Sequence, residues 1–248
     1  MSLLSVQDVT FGYTASKRVL DGVSLTIEPG DSIGLVGESG SGKTTLLRLL
    51  LGLTRPSSGS ITFNGTPLDP RSPRFMRDYR RQVQVVFQDP YSSLDPRQNV
   101  LSIVSEPLRA LRIPGDHRQM VSDALASVGL ERTILARYPH EFSGGQRQRI
   151  AIARAIVAGP SLLLADEAVS ALDLSTRIRI VDLLKSLSEQ MTLVFVSHDL
   201  GVVAALCERI VILEKGRIVE AGATASILAN PQHPYTQRLL SSVPRMPA

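Results

Sequence analysis

The sequence predicts an α/β fold: a phosphate-binding core sheet covered by helices, an N-terminal antiparallel β layer, and an inserted helical subdomain. Three observations carry this expectation. Short, continuous apolar runs stop at residues able to do chemistry: Ile33 to Val36 before Gly37, Val83 to Phe87 before Gln88, Leu162 to Ala165 before Asp166 and Glu167, and Leu193 to Val196 before Ser197 and His198. Runs of this kind suit strands buried on both faces of a parallel sheet, whose ligands lie outside the carboxyl ends of the strands. The stretch before residue 30 instead alternates and turns (Leu4 to Thr10, Val19 to Ile27), which suits a half-exposed antiparallel layer. Residues 90 to 159 read as mostly helical, with Leu101, Val104, Leu108 and Leu111 spaced as one apolar stripe.

The expected organisation is a single domain over 1–248. Its core comes from 1–90 and 160–230, the helical subdomain from 91–159 and a tail from 231–248. Asn64-Gly65 and Glu214-Lys215-Gly216 are hairpin signals. The helical stripe and both hairpins are the parts of this reading that local sequence alone supports.

Composition narrows the class. The chain has 248 residues, 43% hydrophobic and 20% charged, ordinary values for a globular protein with a sizeable core. No apolar run approaches the roughly 18 residues of a membrane span, and the amino terminus lacks the pattern of a signal peptide. A cytosolic chain is therefore expected. The single cysteine, Cys207, excludes an intrachain disulfide and a cysteine metal cage, and its apolar surroundings suit a small core residue. A net charge of +4 does not call for nucleic acid. The densest basic stretch, with Arg74, Arg77 and Arg81 at helical spacing, fits a solvated helix face or a contact to an acidic membrane surface.

Gly37-Glu38-Ser39-Gly40-Ser41-Gly42-Lys43-Thr44 has the spacing of a phosphate loop, and Thr45 continues into a helix. Glycines let backbone N–H groups approach phosphate oxygens, Lys43 supplies charge to the β and γ phosphates, and the Thr44 hydroxyl suits Mg²⁺. Asp166 suits Mg²⁺ held through water, and Glu167 suits a base that polarises the attacking water. Both are expected to be buried, which is expensive without a cation. A helix-capping acid pair is the alternative. His198 suits a γ-phosphate contact, with a structural histidine as the alternative. Ser143-Gly144-Gly145-Gln146 opens a further helix, with Ser143 as N-cap and glycine N–H groups at the positive end of its dipole.

That tetrapeptide, lying between a phosphate loop and an acid-terminated strand, resembles the signature of the ABC (ATP-binding cassette) ATPases, and the motif order matches over essentially the whole chain. The resemblance implies the ABC ATPase fold and ATP hydrolysis with Mg²⁺. It further implies that Tyr13 stacks on adenine, unless it is simply a strand aromatic. Gln88 would touch Mg²⁺ and sense the membrane partner, and Ser170 to Asp173 would link two sites across a dimer. Members pair head to tail, each ATP lying between the phosphate loop of one subunit and the signature of the other. Two departures stand out: Phe142 precedes the signature where leucine is commoner, and Ala168-Val169 replaces Pro-Thr after the glutamate.

Val86 to Arg97 and the stretch Asn230 to Leu240 resemble the peptide and nickel importers. The implied partners are two transmembrane permease subunits, a second ABC ATPase subunit (identical or different) and, indirectly, an extracytoplasmic solute-binding protein. No nucleic acid is expected. The implied location is peripheral, at the cytoplasmic face of the cell membrane. Tyr91 and Leu94 would pass nucleotide-driven shifts to the permease. The alternative is a soluble ABC-type ATPase of a phosphonate-processing assembly.

Overall fold

The computed structural model describes residues 2–14, 17–89 and 93–241. The chain divides into two compact units, Met1–Met76 with Ser188–Ala248, and Arg77–Leu187. In chain order the strands are β1 (Leu4–Thr14), β2 (Lys17–Ile27), β3 (Ser32–Val36), β4 (Ser58–Phe63), β5 (Thr66–Pro67), β6 (Val83–Val86), β7 (Leu162–Asp166), β8 (Thr192–Ser197), β9 (Arg209–Glu214) and β10 (Arg217–Ala223). The helices are α1 (Lys43–Leu50), α2 (Pro73–Gln82), α3 (Val100–Val104), α4 (Glu106–Ala110), α5 (His117–Ser127), α6 (Gly144–Ile156), α7 (Leu174–Ser188), α8 (Leu200–Leu206), α9 (Thr224–Ala229) and α10 (Pro234–Ser241).

The first unit holds two kinds of sheet. The antiparallel layer runs in the order β2-β1-β4-β5. It is one-sided, as the alternation predicts: Leu4, Val6 and Val9 are buried while Gln7 and Asp8 are exposed. The parallel strands β8, β3 and β9 lie side by side, and β10 returns antiparallel to β9. Every residue of β3 and β8 is buried, which is why these segments read as unbroken apolar runs. Both hairpin signals form turns. Asn64 and Gly65 have φ 48° and 75°, and Lys215 and Gly216 have φ 47° and 81°. Two successive left-handed residues match the right-handed twist of the strands they join.

The second unit pairs β6 with β7 in parallel and packs α3, α4 and α5 against α6. The stripe from Leu101 to Leu111 does not make one helix. It breaks at Ser105, where Pro107, lacking an N–H, opens α4. Ser105 Oγ turns back to donate to the Leu101 carbonyl at 2.6 Å. Val104 and Leu108 still face inward, so the stripe survives the break. Arg74, Arg77 and Arg81 lie on the exposed side of α2, with Met76 and Tyr79 buried on the other, as a solvated helix face requires. Cys207 is buried, and burial pushes its thiol up to about 12, leaving it protonated and unreactive. Among the described residues no helix is long and apolar enough to cross a membrane.

Phe195, in the middle of β8, is the largest fully buried side chain among the described residues. Phe195→Ala opens a cavity in the sheet's core and lowers stability by about 3–5 kcal/mol, read from urea unfolding monitored by circular dichroism.

Candidate functional site

In the first unit, β3 delivers the chain into the phosphate loop and α1 carries it away. Gly37 has no room for a side chain: a Cβ would lie 2.3 Å from the Leu213 carbonyl oxygen and 2.6 Å from Ser41 Oγ. Gly42, at φ 111°, precedes α1, and no side chain caps that helix's N–H groups. Lys43 is only 6% exposed, and its Nζ donates to the carbonyls of Gly37 (2.6 Å) and Glu38 (2.9 Å). The ammonium is thus folded over the loop it belongs to. Ser41 N donates to the Glu38 carbonyl (3.2 Å), while the Ser41 carbonyl accepts from Gly216 N (2.8 Å). Ser41 Oγ is buried with no hydrogen-bond partner among the described residues. An orphan hydroxyl, uncapped helix N–H groups and a buried cation fit a ligand rich in oxygen acceptors and negative charge, which is the chemistry of phosphate. The Thr44 side chain is exposed and accessible to a metal ion.

Tyr13 reaches the same helix. Its hydroxyl lies 3.4 Å from Thr45 Oγ1 and accepts from Arg48 Nη1 at 3.2 Å. The Thr45 hydrogen bond, aided by Arg48, holds the phenol below its usual pKa. The ring packs edge-on against Phe11 (centroids 5.0 Å, 87°) yet stays 60% exposed, leaving a face for a flat ligand. His198 leaves the end of β8 exposed, in a turn fixed by Ser197 Oγ accepting from Asp199 N (2.9 Å) and by Asp199 capping α8.

In the second unit, the exposed Gln88 follows β6, and its Nε2 donates to Ser170 Oγ at 3.2 Å. Asp166 and Glu167 end β7, but they are half-buried where full burial was expected. The turn after β7 lifts both carboxylates part-way into solvent, which lowers the cost of their charge. Glu167 adopts φ +46°, a left-handed conformation that costs a non-glycine residue about 1–2 kcal/mol. Ser170 holds it there, both its N and its Oγ donating to the Glu167 carbonyl at 3.0 Å. Ser170 therefore links Gln88 to the Glu167 turn.

The signature opens α6 with a reciprocal cap: Ser143 Oγ accepts from Gln146 N (3.3 Å) and Gln146 Oε1 accepts from Ser143 N (3.0 Å). A Cβ on Gly145 would meet Thr176 Cγ2 at 2.4 Å, so the glycine is set by the approach of α7. Asp173 caps α7; the Thr176 N–H and the Thr176 and Ser175 hydroxyls draw its carboxyl down to about 2. Phe142 is buried, with the Arg137 guanidinium 4.5 Å above its ring. Ala168 and Val169 are buried core residues.

Two contacts were not foreseen from sequence. Arg154 on α6 donates to the Ser93 carbonyl (2.5 Å), tying the signature helix to the segment after Gln88. Tyr235 on α10 accepts from the Glu38 N–H of the phosphate loop (2.8 Å). Nothing in the spacing of a lone arginine or tyrosine signals such a partner. Tyr91 lies outside the described residues. Leu94, expected to help pass nucleotide-driven shifts to the permease, is buried.

The chain is similar to known proteins. Residues 20–170 match the family model described as ABC transporter, and residues 219–248 match that of the oligopeptide/dipeptide transporter C-terminal region. A Brucella ovis protein named as a peptide import ATP-binding protein is 45% identical over 98% of this chain and 78% of its own length. The glutathione import ATP-binding protein GsiA of Shigella flexneri is 47% identical over 93% of this chain and 38% of its own. The structure of a dimeric ATP-binding cassette in a post-hydrolysis state, bound to ADP and Pi, superposes with a TM-score of 0.77 at 30% identity, covering 89% of this chain and 98% of that one. The chain belongs to the ABC transporter family. It has the ABC ATPase fold and is an ATP-binding, ATP-hydrolysing cassette of that family.

Gly145→Ala forces its new methyl against Thr176 and lowers the melting temperature. Removing the opposing methyl in Gly145→Ala/Thr176→Ser restores most of the loss, whereas additive losses in a double-mutant cycle would contradict the contact.

Proposed function

We propose that this chain is the ATP-hydrolysing subunit of a peptide importer, energising partner permeases that carry the solute across the membrane. The observation that supports peptide over other solutes is the match of residues 219–248 to the oligopeptide/dipeptide transporter C-terminal region, together with relatives named for peptide and glutathione import. These matches favour transport over the phosphonate-linked alternative. Nickel or another metal chelate is the second solute class, supported by the likeness of the Val86 to Arg97 and Asn230 to Leu240 segments to both importer types.

In this proposal the loop from Gly37 to Thr45 binds the ATP phosphates, and Lys43 moves from its own carbonyls to the β and γ phosphates. Tyr13 offers its exposed ring to adenine. Glu167 accepts the proton of the attacking water, and His198 holds the γ phosphate. Among the described residues no three His, Cys, Asp or Glu side chains cluster to hold a metal. Mg²⁺ takes few protein ligands and shares the rest with phosphates and water. Thr44, Gln88 and Asp166 would hold it, and when bound it neutralises charge developing on the phosphates. Ser143 to Gln146 act on the ATP of a second ATPase subunit in a head-to-tail dimer. The working assembly adds two permease subunits and an external binding protein, and sits at the cytoplasmic face of the membrane.

Two measurements check the chemistry and the solute. Glu167→Gln keeps the side-chain shape but removes the base, so phosphate release falls about 10²-fold or more while ATP binding persists. Lys43→Ala instead weakens ATP binding itself. Near wild-type hydrolysis by Glu167→Gln would falsify the base assignment. For the solute, the chain is purified with its native membrane partners and reconstituted in liposomes. ATP-driven uptake of oligopeptides is expected. Uptake of a nickel complex alone would move the solute to the second class, and isolation with a soluble phosphonate-processing assembly would end the importer reading.

A further inference from the structure

The C-terminal part of the chain is built against the phosphate loop, and the contact is specific. Glu220 on β10 accepts from the N–H groups of Gln232 (2.9 Å) and His233 (3.1 Å), fixing the chain just before α10. Burial opposes ionisation of Glu220, but the Gln232 N–H, the Thr236 side chain and the His233 N–H together hold the carboxyl below its usual range. His233 Nδ1 in turn accepts from Tyr235 N (3.2 Å). Tyr235 is only 3% exposed, and Arg238, 5.7 Å from its ring centroid, also reaches Glu214 at the end of β9 (3.4 Å). Pinned in this way, Tyr235 has its hydroxyl oxygen 2.8 Å from Glu38 N, on the first residue after Gly37. Burial keeps this phenol protonated.

The same loop is held from a second direction by the β9–β10 turn. Gly216 N donates to the Ser41 carbonyl, and the Leu213 carbonyl fills the space a Gly37 side chain would need. Glu38 therefore has both backbone groups committed. Its N–H goes to Tyr235 and its carbonyl receives Lys43 Nζ and Ser41 N. The residue that tethers the loop to α10 is the one on which the phosphate-binding lysine rests.

We propose that Tyr235 is a positioning residue for nucleotide binding: by accepting the Glu38 N–H it sets the entry to the phosphate loop, and with it the carbonyls that hold Lys43. This gives the peptide-transporter C-terminal region a task at the nucleotide. It rests on the family's ATPase activity and not on the identity of the solute, so it stands or falls separately from peptide import.

The test is Tyr235→Phe in the full chain, which keeps the buried ring and removes only the hydroxyl. Losing one hydrogen bond that orders the loop predicts ATP affinity weaker by about three- to tenfold. The change should appear in KM and in titration with a fluorescent ATP analogue, with kcat unaltered. The rise in melting temperature that ATP induces should shrink correspondingly. Glu38→Pro removes the donor from the other side. If both variants break one bond, the double variant binds ATP no more weakly than the weaker single variant. A Tyr235→Phe protein that melts earlier without nucleotide but keeps wild-type KM and the full ATP-induced rise would reduce Tyr235 to packing and overturn the proposal. A loss confined to kcat, or additive losses in the double variant, would overturn it as well.

Discussion

The whole nucleotide end of the first unit depends on how a buried ammonium is satisfied. Lys43 lies at the first turn of a helix, where the dipole disfavours positive charge, and it is nearly inaccessible to water. Two loop carbonyls compensate it, and they can do so only if the loop doubles back tightly enough to present them. That demand explains the glycine at 37, the committed backbone of Glu38, and the packing of the β9–β10 turn against Ser41. The loop is thus shaped before any anion arrives. On the proposed role of the loop, binding would exchange carbonyl partners for phosphate partners without ordering a floppy segment, which is the usual advantage of preorganisation.

In the second unit the equivalent organiser is Ser170. A single hydroxyl accepts from Gln88 and donates to the Glu167 carbonyl, so two segments far apart in sequence share one hinge point. A shift of either segment would therefore disturb a bond that the other shares.

Much of this was legible in the sequence because the relevant signals are local. The unbroken apolar runs of β3 and β8, the Asn-Gly and Lys-Gly turns, and the N-cap Ser143 each declare themselves within a few residues. What stayed hidden depends on partners distant along the chain. Tyr235 finds Glu38 across 197 positions and Arg154 finds Ser93 across 61, and no periodicity encodes either meeting. The helical stripe from Leu101 was legible, but not its division into two helices: apolar spacing is blind to Pro107, whose missing N–H breaks the helix while leaving the inward face intact. The depth of Asp166 and Glu167 was overestimated because strand burial was extended past the strand's end into a left-handed turn.

That turn has a consequence for how the protein would drift if selected for robustness alone. At φ +46° glycine would sit without strain where Glu167 does not, so the backbone favours discarding the carboxylate. Retaining a glutamate there means accepting a less comfortable backbone for the sake of its side chain. A thermostability design blind to activity would favour glycine there and, on the proposed role of Glu167 as base, would produce an inert cassette, a local instance of the trade-off between endurance and turnover.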